Sequence, residues 1–120
     1  PSPPEGSWSG IVPKVIESAH PYVADTKTSW TISQPGATYM KIKFGKVDTE
    51  GGYDIITVKN GKTGEVIDSF SGSMDSFVTD EIQADSVVVE FESDSTVHRW
   101  GFNIEGYAWT SFAPLVPSSL

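Results

Sequence analysis

The run YMKIKFGKV, residues 39–47, has an unmistakable rhythm. Met40, Ile42 and Phe44 fall on one side of an extended chain and Lys41 and Lys43 on the other, because successive strand side chains point to opposite faces. A helix would need apolar residues three and four apart, and no window of the chain sustains that spacing. On either side of this run the same two-residue alternation returns. SWTIS (29–33) sets Trp30 and Ile32 on one face, and SVVVEFESD (86–94) sets Val87, Val89 and Phe91 inward. WGFNIEGYAW (100–109) does the same with Phe102 and Ile104, while SFVTDEI (76–82) is a shorter strand of the same kind. IITVKNGK (55–62) runs into Asn60-Gly61, a hairpin signal because both residues accept φ > 0, and GEVIDSFSG (64–72) is its expected return strand. Many short strands separated by Gly, Pro, Asn and Asp imply an all-β antiparallel sandwich or jelly roll.

The chain has 120 residues, enough for one domain with a sizeable core. Residues 1–10 (PSPPEGSWSG) are expected to be a linker, 11–110 the β-sandwich domain, and 111–120 a C-terminal tail. The absence of an initiator Met and of a signal-like start fits a domain taken from a longer chain or a processed product. Sixteen acidic against eight basic residues give a formal net charge of −8, which opposes nucleic-acid binding and favours cationic partners. With no cysteine, neither a disulfide framework nor a thiolate metal site is possible. No apolar run reaches the roughly 18 residues that a membrane span requires.

Three segments carry polar groups that could do chemistry. In VDTEGGYDIITV (47–58), Asp48, Glu50 and Asp54 crowd around a Gly-Gly pair. Like charges this close repel unless water or a cation screens them. The segment therefore reads either as a solvated acidic turn or as part of a calcium site, since calcium takes six to eight oxygen ligands in irregular geometry. In FESDSTVHRWGF (91–102) a strand ends at Asp94, and Asp94 and Ser95 suit a loop. In IESAHPYVADTKTSW (16–30), His20 reads as a structural histidine on the approach to a strand.

Taken in order, these segments form a series: ES-x-HPY, W-x-I, PGA, M-x-I-x-F, VDTEGGYD, NG, SFSG, V-x-F-x-SDST, GF-x-I. The series resembles the CUB domain, a β-sandwich module, over roughly residues 12–109. Its most specific parts are D-x-E…YD and F-x-SD-S…GF. Many CUB domains hold one Ca²⁺ at the end of the sandwich, and the resemblance assigns that ion to Glu50, Asp54 and Asp94. Asp48 is expected to orient the turn, and groups near Ser95 and Thr96 to complete the shell. The common form of the family carries two disulfides, which this chain lacks, and Gly51-Gly52 stands where a cysteine-containing insert would be. The pattern looks like the cysteine-free CUB-like branch attached to bacterial secreted hydrolases, with related forms in large intracellular proteins.

The resemblance implies a non-catalytic recognition module, extracellular, accessory to a secreted hydrolase such as a peptidase. Its partner would be a protein or peptide offering exposed Lys or Arg, with Tyr22, His98, Arg99 and Trp100 as contact residues. Trp100 has a core alternative. A carbohydrate-binding module is the second reading, with Trp8, Trp30, Trp100, Trp109, Tyr22, Tyr39, Tyr53 and Tyr107 as its aromatic candidates and polysaccharide as ligand. A plain structural spacer is the third. Nothing resembles a nucleophile elbow or a zinc-protease helix.

Overall fold

The computed structural model describes residues 2–96 and 98–113. A short 3₁₀ turn, Glu5–Ser7, precedes nine strands: β1 (Val12–Glu17), β2 (Lys27–Ser33), β3 (Tyr39–Asp48), β4 (Ile55–Asn60), β5 (Val66–Phe70), β6 (Ser73–Met74), β7 (Phe77–Val78), β8 (Ser86–Glu92) and β9 (Gly101–Thr110). One sheet runs β1-β9-β3, with β6 and β7 both on the far side of β3; the other runs β2-β8-β4-β5. Every pairing is antiparallel. No described helix is long and apolar enough to cross a membrane.

The core lies between the sheets and is built by the alternation seen in the sequence. Met40, Ile42, Phe44, Val87, Val89, Phe91, Phe102 and Ile104 are all buried there. Phe102 is its hub, with Phe91 and Trp30 edge-on at 5.5 and 5.4 Å between ring centroids. Phe44 stacks on Phe77 and meets Phe70 edge-on, a geometry that adds to plain area burial. Trp30 and Trp109 pack against the core from its margin.

Strict alternation after Phe44 would turn Lys46 inward. Instead the register of β3 against β9 shifts between Phe44 and Val47, so that Lys46 stays exposed and Val47 is buried. A bulge of this kind re-aims the strand that follows it, and here that strand leads into the acidic turn.

One strand is new and two expectations change. Val12–Glu17 is a strand, because it pairs with β9 through Val12↔Tyr107 and Glu17↔Asn103. The expected 76–82 strand is reduced to Phe77–Val78 and an isolated bridge between Met40 and Ile82. Asn60-Gly61 opens the β4–β5 hairpin as expected, but neither residue takes a positive φ, and the turn is longer, running to Gly64. Gly64 N donates to Asn60 O, the left-handed residue is Gly64, and Asn60 Oδ1 accepts from Lys62 N and Thr63 N. Gly61 is required for a different reason: a Cβ there would lie 2.3 Å from Ser86 Oγ.

The segment expected to be linker folds back on the domain. Ser9 N donates to Trp109 O, Trp109 N donates to Ser9 Oγ, and Lys41 Nζ lies 4.1 Å from the Trp8 ring centre. Residues 114–120 of the expected tail lie outside the described residues.

Candidate metal centre

The acidic turn is shaped by its own backbone. After β3 the chain makes one tight loop in which Tyr53 N and Asp54 N both donate to Glu50 O. Gly52 takes φ +83°, which only glycine adopts without strain. Thr49, buried at its base, donates through Oγ1 to Asp54 O and accepts from Gly72 N, so the loop is pinned to the strand returning from β5. Asp54 then sits at the mouth of β4, completely buried.

The second loop begins where β8 ends. Ser93 Oγ donates to Val23 O, and Asp94 O accepts from Asp25 N. Asp94 N donates to Asp54 Oδ1 at 2.8 Å, which joins the two loops directly. Tyr22 donates its hydroxyl to Asp54 Oδ2 at 2.5 Å and accepts from Glu50 N at 3.1 Å. Burial, and then the Asp54 carboxylate, push the Tyr22 hydroxyl up to about 12, so it remains a donor.

Glu50, Asp54 and Asp94 converge, with one carboxylate oxygen of each within 4.8 Å of the others. Calcium binds oxygen at 2.3–2.6 Å, so oxygens sharing one ion lie no more than about 5 Å apart. The cluster meets that limit. Among the described residues, Glu50 Oε1 is the buried side-chain oxygen that has no hydrogen-bond partner. Its carboxyl is raised above the ordinary carboxylate range, first by loss of water and then by the Asp94 and Asp54 charges. Buried polar atoms are rarely left unsatisfied, and a divalent cation is the group that would satisfy this one and reverse the repulsion.

The remaining candidates take other places. Asp48 is outside the cluster: it accepts from Arg99 Nε at 2.6 Å and from Ser73 Oγ, and the Arg99 contact holds its carboxyl below the usual range. This ion pair ties the end of β3 to the second loop. Thr96 turns its backbone N–H back onto Asp94 Oδ1, and Ser95, Thr96 and His98 are exposed. Trp100 is half-buried, stacked on His20 with ring centres 3.9 Å apart. His20 bridges Trp100 O and Glu17 Oε1 through its two ring nitrogens. Tyr22, expected on the partner-facing surface, is only 2% exposed and lies beneath the cluster. Its hydroxyl has to reach a buried carboxylate, and that draws the ring inward against Phe91. Thr49 and Ser93 were not legible as site residues, since an isolated hydroxyl in a loop carries no signal of its own.

The family model of the CUB domain matches residues 14–105. The chain is 33% identical over 110 residues to E3 ubiquitin-protein ligase HERC2 of Homo sapiens, a match covering 89% of this chain and 2% of the ligase. It is 33% identical over 95 residues to zinc finger ZZ-type and EF-hand domain-containing protein 1 of Homo sapiens, covering 78% of this chain and 3% of that protein. The chain thus spans 2–3% of the length of these curated relatives. Among solved structures, the MASP-1 CUB2 domain bound to Ca²⁺ superposes with a TM-score of 0.60 at 23% identity, over 80% of this chain and 89% of that one. The CUB1-EGF-CUB2 fragment of human MASP-1/3 gives 0.57 at 16% identity, over 87% and 41%. With the sandwich, the ordered motifs and the family match in agreement, this chain is a member of the CUB domain family.

Proposed function

We propose that the domain is a non-catalytic, calcium-dependent recognition module that binds protein partners through their Lys or Arg side chains. The observation that carries this is the convergence of Glu50, Asp54 and Asp94, one carboxylate oxygen of each within 4.8 Å of the others, where Glu50 also has a buried, unpartnered Oε1. A CUB neighbour bound to Ca²⁺ supports the choice of ion. When bound, calcium supplies charge neutralisation and a tie between loops. The chain's own residues do the rest: Tyr22 and Asp94 N hold Asp54 in place, and Thr49 fixes the turn. The exposed contacts for a partner are Ser95, Thr96, His98, the open part of Trp100, and Arg99, which is paired to Asp48 but still exposed. The net charge of −8 suits a basic partner.

The carbohydrate reading is weakened by the aromatic residues themselves. Tyr22 and Tyr107 are buried, and Trp30 and Trp109 pack on the core. A secreted hydrolase as parent and an extracellular location remain part of the proposal; the two curated relatives named above carry names of other kinds of protein. Sequencing the parent chain on both sides of the domain decides between them.

Calcium titration against a chelator control tests the site. An ion that binds only the folded state should add about 2.7 kcal/mol of stability at a hundredfold excess over its dissociation constant. Asp94→Ala should remove most of that gain, because the remaining two carboxylates come from one loop. A melting temperature indifferent to chelator, with Asp94→Ala behaving like the parent, would sink the calcium reading. Partner binding should weaken with salt, as exposed charges are screened over about 8 Å at physiological ionic strength. Binding insensitive to both salt and calcium would refute recognition through basic side chains.

A further inference from the structure

Among the described residues β2 is the outermost strand of its sheet and pairs only with β8. The direction of its backbone groups follows from bonds at its two ends. Ser93 N donates to Thr26 O, and Gln34 N donates to Asp85 O. These bonds lie in the same register as Thr28↔Phe91, Trp30↔Val89 and Ile32↔Val87. Hydrogen-bonded residues alternate along an antiparallel ladder, so Thr28, Trp30 and Ile32 direct their N–H and C=O groups at β8. The bond from Gly61 N to Ser86 O agrees, since it assigns the alternate residues of β8 to β4. Lys27, Ser29, Thr31 and Ser33 therefore turn their backbone groups away from the sheet. Among the described residues no strand pairs with them.

The other edges of the sandwich are blunted. β1 contains Pro13 and a register break between Pro13 and Ile16. The pairing of β4 with β5 breaks between Val58 and Lys59. β6 and β7 are two residues each. Short strands, prolines and bulges are how sheets avoid unwanted pairing. β2 has none of these: it is seven residues long, in unbroken register, with Lys27 its single charged side chain.

Beside this edge, between β2 and the end of β1, lies a cleft of about 210 Å³ lined by Tyr22, Val23, Thr28, Trp30 and Phe91, with Glu17 also on its wall. A strand laid along β2 would turn alternate side chains toward that cleft. A second copy of this chain could not fill it through its own β2. The inward residues of that strand are committed to their own core: Ile32 is buried and Trp30 packs on Phe102.

We propose that the β2 edge docks an extended segment of a partner protein, carrying aliphatic side chains at alternate positions, as an added strand of the sheet. This contact is led by backbone hydrogen bonds and an apolar cleft, and it does not require calcium.

The test uses a short synthetic peptide alternating valine and threonine, with a control N-methylated at alternate residues so that it cannot donate to β2. Amide exchange at Ser29 and Thr31 should slow severalfold with the first peptide and not with the second. Thr31→Pro removes an outward N–H, which an edge strand tolerates, and should abolish binding while circular dichroism and melting stay near those of the parent. If that variant does not fold, Val23→Asp decides, since Val23 is 60% exposed and its change affects only the cleft. Unprotected Ser29 and Thr31, equal binding of the N-methylated peptide, or binding that survives both substitutions would overturn the proposal. So would protection that rises with protein concentration in the absence of peptide, which would make a second copy the occupant.

Discussion

At the end of the sandwich where β4 turns into β5, Asn60 and Tyr107 find neutral partners close by. Asn60 donates through Nδ2 to Gln83 O and accepts at Oδ1 from two backbone N–H groups, and Tyr107 donates its hydroxyl to Gln34 Oε1 at 2.6 Å. At the opposite end the buried groups are carboxylates. Asp54 is satisfied by Tyr22 and Asp94 N, yet Glu50 Oε1 is not satisfied at all. The first end closes its hydrogen bonds within the polypeptide, and the second leaves one buried carboxylate oxygen open, which the proposed cation would fill. A stabilising turn and a binding loop thus differ in whether their hydrogen bonds close within the chain.

Asp54→Ala should have the largest effect. It takes the acceptor away from the Tyr22 hydroxyl and from Asp94 N, two bonds to a charged group, and should destabilise by about 3–5 kcal/mol even in chelator. It should also abolish the calcium shift. Loss of the shift with unchanged stability in chelator would mean that Asp54 does not organise the empty site.

Asn60→Ala should come next, at about 1–3 kcal/mol for the backbone donors it leaves unpaired. The calcium-dependent gain in melting temperature should be untouched, because nothing at this end reaches the ion. A change in that gain would show that the two ends are coupled through the core.

The eight core residues were legible because strand burial alternates along contiguous sequence, and the three carboxylates were legible because their motifs recur in order. Other features depend on contacts between segments far apart. β1 became a strand through its pairing with β9, 80 or more residues away along the chain. Tyr22 reads as a surface residue from sequence since nothing nearby announces that its hydroxyl must meet Asp54, and Asn60-Gly61 signals the turn but not that Gly64 is its left-handed residue or that Ser86 crowds Gly61.

Acidity separates the two ends by a smaller margin. In the calcium-free fold Glu50 is raised above its unfolded value, by burial first. The folded chain therefore holds a proton that the unfolded chain releases, a contribution fully present below the unfolded value and lost as pH rises through the folded one. Calcium needs the deprotonated group, so the calcium gain should grow across that same window. Melting with and without calcium from acid to neutral pH checks this; a gain independent of pH would remove Glu50 from the ligand set.

Asp48→Ala should have the smallest effect. It opens the exposed ion pair to Arg99 but leaves the three carboxylates in place. Calcium affinity, measured by titration, should fall less than in Asp94→Ala. An equal fall would make Asp48 a ligand and the Arg99 pair a feature of the ion-free state.

The loop after β4 also bears on how this protein ages. Asparagine followed by glycine is the pair most prone to deamidation, because the glycine nitrogen can attack the side-chain amide and close a succinimide ring. Here that nitrogen donates to Ser86 O at 2.9 Å, and the Asn60 amide is held by three further hydrogen bonds. Ring closure requires these bonds to be given up together, which local opening of the turn would demand. Damage at Asn60 should therefore accumulate through opening of this turn, and calcium at the far end of the molecule would slow it only where that opening is part of global unfolding.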